Sequence, residues 1–84
     1  MIDKINNPCV KILKDWCRTC NISDIAYELR IYNHTLVIYT SNPGTMIGYK
    51  GKIVKKYKRI LFEEYGEEFD VEFKVIRGKF LHIN

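Results

Sequence analysis

Gly48-Tyr49-Lys50-Gly51 is the stretch whose residue types and spacing point most directly to chemistry. Glycine has no Cβ, so it reaches positive φ without steric cost and lets another backbone come close. A stretch of helical character begins at Lys52, and the start of a helix offers unpaired N–H groups and the positive end of a dipole. Phosphate suits such a corner. Lys52, Lys55, Lys56 and Arg59 share one helical face, at spacings of three and four. A helix arranged for its own stability puts acids first and bases last. Here Lys52, Lys55 and Lys56 come early and Glu63 and Glu64 late. Each misplaced charge costs about 0.3–1 kcal/mol near a terminus. A bound polyanion offsets that cost, so anion binding is preferred to a plain turn with solvated lysines.

Other constellations fail on spacing. A phosphate-binding G-x-x-x-x-G-K-[ST] loop starting at Gly44 meets Tyr49 at its sixth position, and no G-x-G-x-x-G run exists. Trp16-Cys17-Arg18-Thr19-Cys20 has the form of a redox W-C-x-x-C. Such a motif opens a helix, where the dipole favours thiolate, whereas this one closes a helix. Cys9, Cys17 and Cys20 also fall on an apolar stripe, so core packing is expected of them. A zinc site from those cysteines with His34 or His82 lacks paired C-x-x-C units. Neither histidine has a serine, cysteine or carboxylate at a meaningful spacing. No catalytic activity, metal or cofactor is expected.

The elements that must position the glycine corner are legible in order. Asn7-Pro8 reads as a helix start, and Cys9, Ile12, Leu13, Trp16, Cys17 and Cys20 recur at helical spacing, predicting a helix from Pro8 to Thr19. Asp24–Tyr32 alternates Ile25, Tyr27, Leu29 and Ile31 with Ala26, Glu28 and Arg30, as a strand does. Asn33-His34 forms a turn to Thr35–Thr40, apolar on both faces and therefore a central strand. Ser41-Asn42-Pro43-Gly44 ends it, and Thr45–Ile47 has room for one helical turn. Lys52 to Tyr65 is a helix with Val54, Tyr57, Leu61 and Tyr65 along its apolar stripe and Gly66 as its stop. Phe69 to Val75 is a third strand, and Lys79–Asn84 a short extra strand or tail. Tyr32 and Tyr39 are expected to pack on a sheet face. The fold class is α+β, in the order α-β-β-α-α-β. A helical crossover makes the second and third strands parallel, giving a three-stranded mixed sheet with helices packed on one face.

Eighty-four residues suit a single domain, 1–84. A hydrophobic fraction of 46% excludes wholesale disorder, and no apolar run approaches the roughly 20 residues of a membrane helix. The opening MIDKINNP lacks the order of a signal peptide, so a cytoplasmic protein is expected. The net charge is +4, with Lys50, Lys52, Lys55, Lys56, Lys58 and Arg59 in one run and Glu63, Glu64, Glu67, Glu68, Asp70 and Glu72 in the next. A focused positive patch of this kind attracts polyanions.

The stretch N-P-G-T-M-I-G-Y-K-G-K-I-V-K-K-Y resembles the I-G-x-x-G signature of the KH domain, and the element order resembles its type II, bacterial-style variant. The likeness runs from Val10 to Ile76. It is similar to the KH domain of the small-subunit ribosomal protein at the messenger entry, and to standalone bacterial KH proteins. The resemblance implies binding of single-stranded RNA or DNA, about four nucleotides clamped against the loop. Ribosomal or other RNA–protein assemblies are implied as partners, and no membrane. It places Gly48, Tyr49, Lys50 and Gly51 on the sugar-phosphate backbone, and Ile47, with Met46 and Val54, under the bases. Lys52, Lys55, Lys56 and Arg59 then continue the phosphate track. Tyr49 departs from the small or basic residues usual in the loop. It either stacks on a base or sugar or obstructs the groove, and stacking is preferred.

Three rivals compete with this reading. One is a non-catalytic protein-interaction or ribosome-associated module with a degenerate groove. Another is a helix-hairpin-helix gripping duplex DNA, disfavoured by the strand before Pro43. The last is a redox protein using Cys17 and Cys20.

Overall fold

The computed structural model describes residues 8–76 of the chain. Helix α1 (Pro8–Cys20) is followed by strands β1 (Ile25–Arg30) and β2 (Thr35–Thr40), the short helix α2 (Pro43–Ile47), a 3₁₀ turn (Tyr49–Gly51), helix α3 (Lys52–Tyr65) and strand β3 (Asp70–Val75). This is the expected α+β order. The sheet runs β1-β2-β3, with β1 antiparallel and β3 parallel to β2. Asn7, the Arg77-Gly78 turn, His82 and the Lys79–Asn84 segment lie outside the described residues.

Strand β2 is central because Leu36, Val37 and Ile38 are all fully buried. Leu36 and Ile38 face the helices and join Cys9, Ile12, Leu13, Trp16, Met46, Tyr57, Leu61 and Phe69 in one core. Side chains alternate faces along a strand, so Val37 belongs to the opposite face. Its register partners there are Glu28 and Glu72. Nearby, Arg30 Nη2 donates to Glu28 Oε1 at 3.2 Å. That hydrogen bond, with the charge of Arg30, holds the Glu28 carboxyl below its usual range. The face away from the helices is thus a lattice of charge around a covered valine.

Two expectations about aromatic and apolar side chains are corrected. Strand β1 stops at Arg30, leaving Ile31 half exposed and Tyr32 99% exposed in the turn. A turn has no sheet face against which Tyr32 could pack. The histidine of that turn gains partners that sequence spacing could not reveal. His34 Nε2 contacts the Glu67 carboxylate, and its ring sits edge-on to Phe69, ring centroids 5.5 Å apart.

The helices are tied together through one aromatic stack. Trp16 of α1 lies on Tyr57 of α3, centroids 4.8 Å apart and planes 8° from parallel, and meets Phe73 of β3 edge-on. The Tyr57 hydroxyl donates to Asp15 Oδ2 at 2.7 Å. Its single proton is then spent, so in the 2.9 Å contact with Thr19 the threonine hydroxyl donates.

Candidate nucleic-acid interface

Five residues cannot make a self-sufficient helix, because each end of a helix leaves four backbone groups without intrahelical partners. Helix α2 solves this by borrowing. The Gly48 amide donates to the Gly44 carbonyl at 2.9 Å. From α1, Trp16 Nε1 donates to the Met46 carbonyl at 3.1 Å and Cys20 Sγ to the Thr45 carbonyl at 3.3 Å. The last turn of α2, which leads into the glycine loop, is therefore fixed by side chains from a helix about 25 to 30 residues earlier. Sequence spacing placed Trp16 and Cys20 on the buried face of α1 but gave no sign of these carbonyl partners.

The loop holds three positions with unusual backbone. Gly48 has φ 80° and ψ 175°, Lys50 φ 55° and ψ 27°, and Gly51 φ 75° and ψ 16°. The Gly48 conformation is essentially restricted to glycine. A Cβ there would also stand 2.6 Å from Ile53 Cγ1, so the position is closed to any other residue on two grounds. Gly51 adopts the left-handed conformation with room around it, its nearest neighbour being Val54 Cγ1 at 3.8 Å. Lys50 is left-handed without being glycine, which costs about 1–2 kcal/mol. The turn closes through Gly51 N to Gly48 O at 3.0 Å.

The result is a protruding corner. Tyr49 is 74% exposed and Lys50 is exposed, with Lys50 Nζ 5.4 Å from the Tyr49 ring centroid. Gly48, Gly51 and Ile47 are half-buried. Helix α3 begins on Gly51 with no side-chain cap and no acid in its first turn. The Lys52 amide is taken by the Tyr49 carbonyl within the 3₁₀ turn, so what this uncapped start offers an anion is chiefly the positive end of the helix dipole and the lysines beside it. Lys52, Lys55, Lys56 and Arg59 are all exposed. Lys56 Nζ lies 5.2 Å from the Tyr57 ring, and Arg59 Nε is 3.5 Å from Glu63 Oε2. Arg59 is thus partly engaged within its own helix, two turns beyond the loop.

One expected groove residue falls elsewhere. Met46 is fully buried, and its side chain belongs to the core beneath α2. It cannot touch a base. Val54 is half-buried against the same core, while Ile47 keeps some exposure beside the loop. A cleft of about 280 Å³ lies beside the later part of α3, lined by Lys58, Arg59, Phe62, Glu68, Phe69 and Asp70. Its two acids set it apart from the uniformly basic loop.

The cysteines show no trait of a redox centre. Burial pushes the Cys9 thiol up to about 11 and raises Cys20. Cys17 is raised by burial, then by Cys20 and Asp24. Thiolate is disfavoured at all three, and Cys20 donates its proton to a carbonyl.

A three-stranded mixed sheet, helices in the order α-β-β-α-α-β and a glycine-bracketed turn opening the last helix together define a type II KH-like fold. In sequence the chain is similar to two curated proteins. One is small ribosomal subunit protein uS3 of Chromohalobacter salexigens, 31% identical over 77 residues that cover 89% of this chain and 33% of that one. The other is small ribosomal subunit protein uS3 of Thermodesulfovibrio yellowstonii, 33% identical over 67 residues, 80% of this chain and 31% of that one. The chain spans about a third of the length of these curated relatives. No protein-family model and no solved structure matches it.

Proposed function

We propose that this chain is a non-catalytic module that binds single-stranded nucleic acid, RNA in the first instance, at the Gly48–Gly51 loop and along the basic face of α3. The observation that carries the reading is the uncapped start of α3 behind a loop shaped by three positive-φ positions, Gly48, Lys50 and Gly51. The positive end of the α3 dipole and the Lys50 ammonium suit phosphate oxygens, and a phosphodiester strand presents these at regular intervals. Lys52, Lys55 and Lys56 extend the track, and Ile47 borders the space that unstacked bases enter. The likeness to uS3 supports RNA and a ribosomal or similar RNA–protein assembly as the setting, in the cytoplasm.

Binding of this kind neutralises few phosphates. With two or three engaged, the log–log salt slope on a single strand is about −1.4 to −2.1. The test is an NMR titration with short single-stranded RNA of mixed sequence, following the amides of residues 46–56. The amides around the loop shift on titration. The Tyr49→Asp, Lys50→Asp double variant keeps its fold and loses binding, because both side chains are exposed and the change puts two negative charges where the strand's phosphates must sit. Undiminished affinity in that variant sinks the proposal.

A further inference from the structure

We infer that Tyr49 is a stacking platform for one nucleobase, giving the loop a base-dependent share of binding in addition to its phosphate contacts; this rests on the single-strand reading above. Phosphate recognition needs N–H groups and cations, and the loop supplies both without any aromatic ring. Yet its second position holds a tyrosine that is 74% exposed. The ring is not there to pack against this chain. The flat apolar groups of a nucleic acid strand are its bases, and every base has a π-face for which an aromatic side chain is a match.

The local backbone makes the ring a fixed feature. Gly48 is confined by its own φ of 80° and by Ile53 beneath it, and the Gly51 amide closes the turn onto Gly48. Tyr49 sits between these anchors, with two side-chain torsions left to order. The Lys50 ammonium, 5.4 Å from the ring centroid, is attracted to the π-cloud. That attraction holds the cation over one face of the ring, so a base stacks on the opposite face. A base stacked on Tyr49 brings its own phosphate close to Lys50, so that one nucleotide meets both side chains. The left-handed φ of 55° at Lys50 holds the two neighbours in this relation, in a conformation that a lysine adopts only when the surroundings impose it.

Stacking grows with the area of the base, so the order of affinity is purine, then pyrimidine, then abasic. The experiment uses fluorescence anisotropy at one low salt concentration. The full chain is titrated with three short RNA strands of equal length and charge: oligo-A, oligo-U and an oligo-A with central abasic positions. Wild type binds oligo-A several-fold more tightly than the abasic strand, with oligo-U between. Tyr49→Phe keeps that order. Tyr49→Leu binds oligo-A about tenfold more weakly and no longer distinguishes the three strands. Lys50→Ala weakens all three by a similar factor and keeps their ranking. Tyr32→Leu, at the still more exposed tyrosine of the β1–β2 turn, leaves every affinity unchanged. The unaltered fluorescence of buried Trp16 verifies the fold of each variant. Wild type that binds all three strands equally, or a Tyr49→Leu variant that retains the ranking, overturns stacking while leaving phosphate binding in place. Wild type that binds none of the strands overturns the single-strand reading as well.

Discussion

Gly48→Ala isolates the physical basis of the loop in a single methyl group. Two costs act at once. An alanine held at φ 80° and ψ 175° carries backbone strain of about 1–3 kcal/mol. Its Cβ would also stand 2.6 Å from Ile53 Cγ1, 2.9 Å from Cδ1 and 3.0 Å from Cβ. Two of these atoms sit close to the α3 backbone, so the contact is not relieved by swinging a flexible tip. Overpacking of this kind costs about 1–3 kcal/mol. The sum is roughly 2–6 kcal/mol, set against a total stability of about 4–13 kcal/mol for a chain this size. Gly51→Ala is the matched control: its φ of 75° carries the left-handed penalty of about 1–2 kcal/mol, but its nearest neighbour is 3.8 Å away. Urea denaturation followed by Trp16 fluorescence reads both. Gly48→Ala is expected to lose about 2 kcal/mol more than Gly51→Ala, or roughly 8–16 °C in melting temperature. A double-mutant cycle separates the two costs. Ile53→Ala removes Cγ1 and Cδ1, so Gly48→Ala in that background costs about 1–2 kcal/mol less than in wild type. Equal losses at the two glycines, or a Gly48→Ala cost untouched by Ile53→Ala, refute the reasoning.

Two further outcomes follow from the support beneath the loop and from the buried thiols. Trp16→Phe removes the indole N–H from the Met46 carbonyl and leaves a small void beside Tyr57, with an expected cost of about 2–4 kcal/mol. Amide hydrogen exchange should rise selectively at residues 47–51; exchange that rises no more there than elsewhere contradicts the claim that α1 anchors α2. Burial pushes the Cys9 thiol up to about 11 from the 9.0 of an unburied thiol. Its stabilising contribution is therefore complete below pH 9 and lost as pH rises through the folded value, roughly 2–3 kcal/mol across pH 9 to 11. Cys17, Cys20, Tyr57 and Tyr65 are raised by burial too and act in the same direction. Urea midpoints should fall between pH 9 and 10.5, less steeply in Cys9→Ala, and a flat profile in wild type contradicts it.

The sequence by itself determined the element order, the central place of β2 and the glycine corner. Each of these depends on local spacing. Leu36, Val37 and Ile38 in unbroken succession describe a strand covered on both faces, and Tyr57 and Leu61 four apart describe a buried helical stripe. The two glycines announced positive φ, and the lysine-first order of α3 announced an unneutralised dipole. The partners of particular atoms were not legible, because they depend on which distant surfaces meet. Met46 looked available to a ligand, yet a five-residue helix pressed against α1 must bury one side, and that side holds Met46. Tyr32 looked like sheet packing, but β1 ended at Arg30 and left it in the turn. His34 found Glu67 and Phe69 only because a parallel crossover returns the chain beside the β1–β2 turn. The cysteines of the W-C-x-x-C stretch gained meaning in the same way. Helix periodicity fixes the direction in which Trp16 and Cys20 point, and only packing decides that the Met46 and Thr45 carbonyls at the end of α2 lie there to receive them.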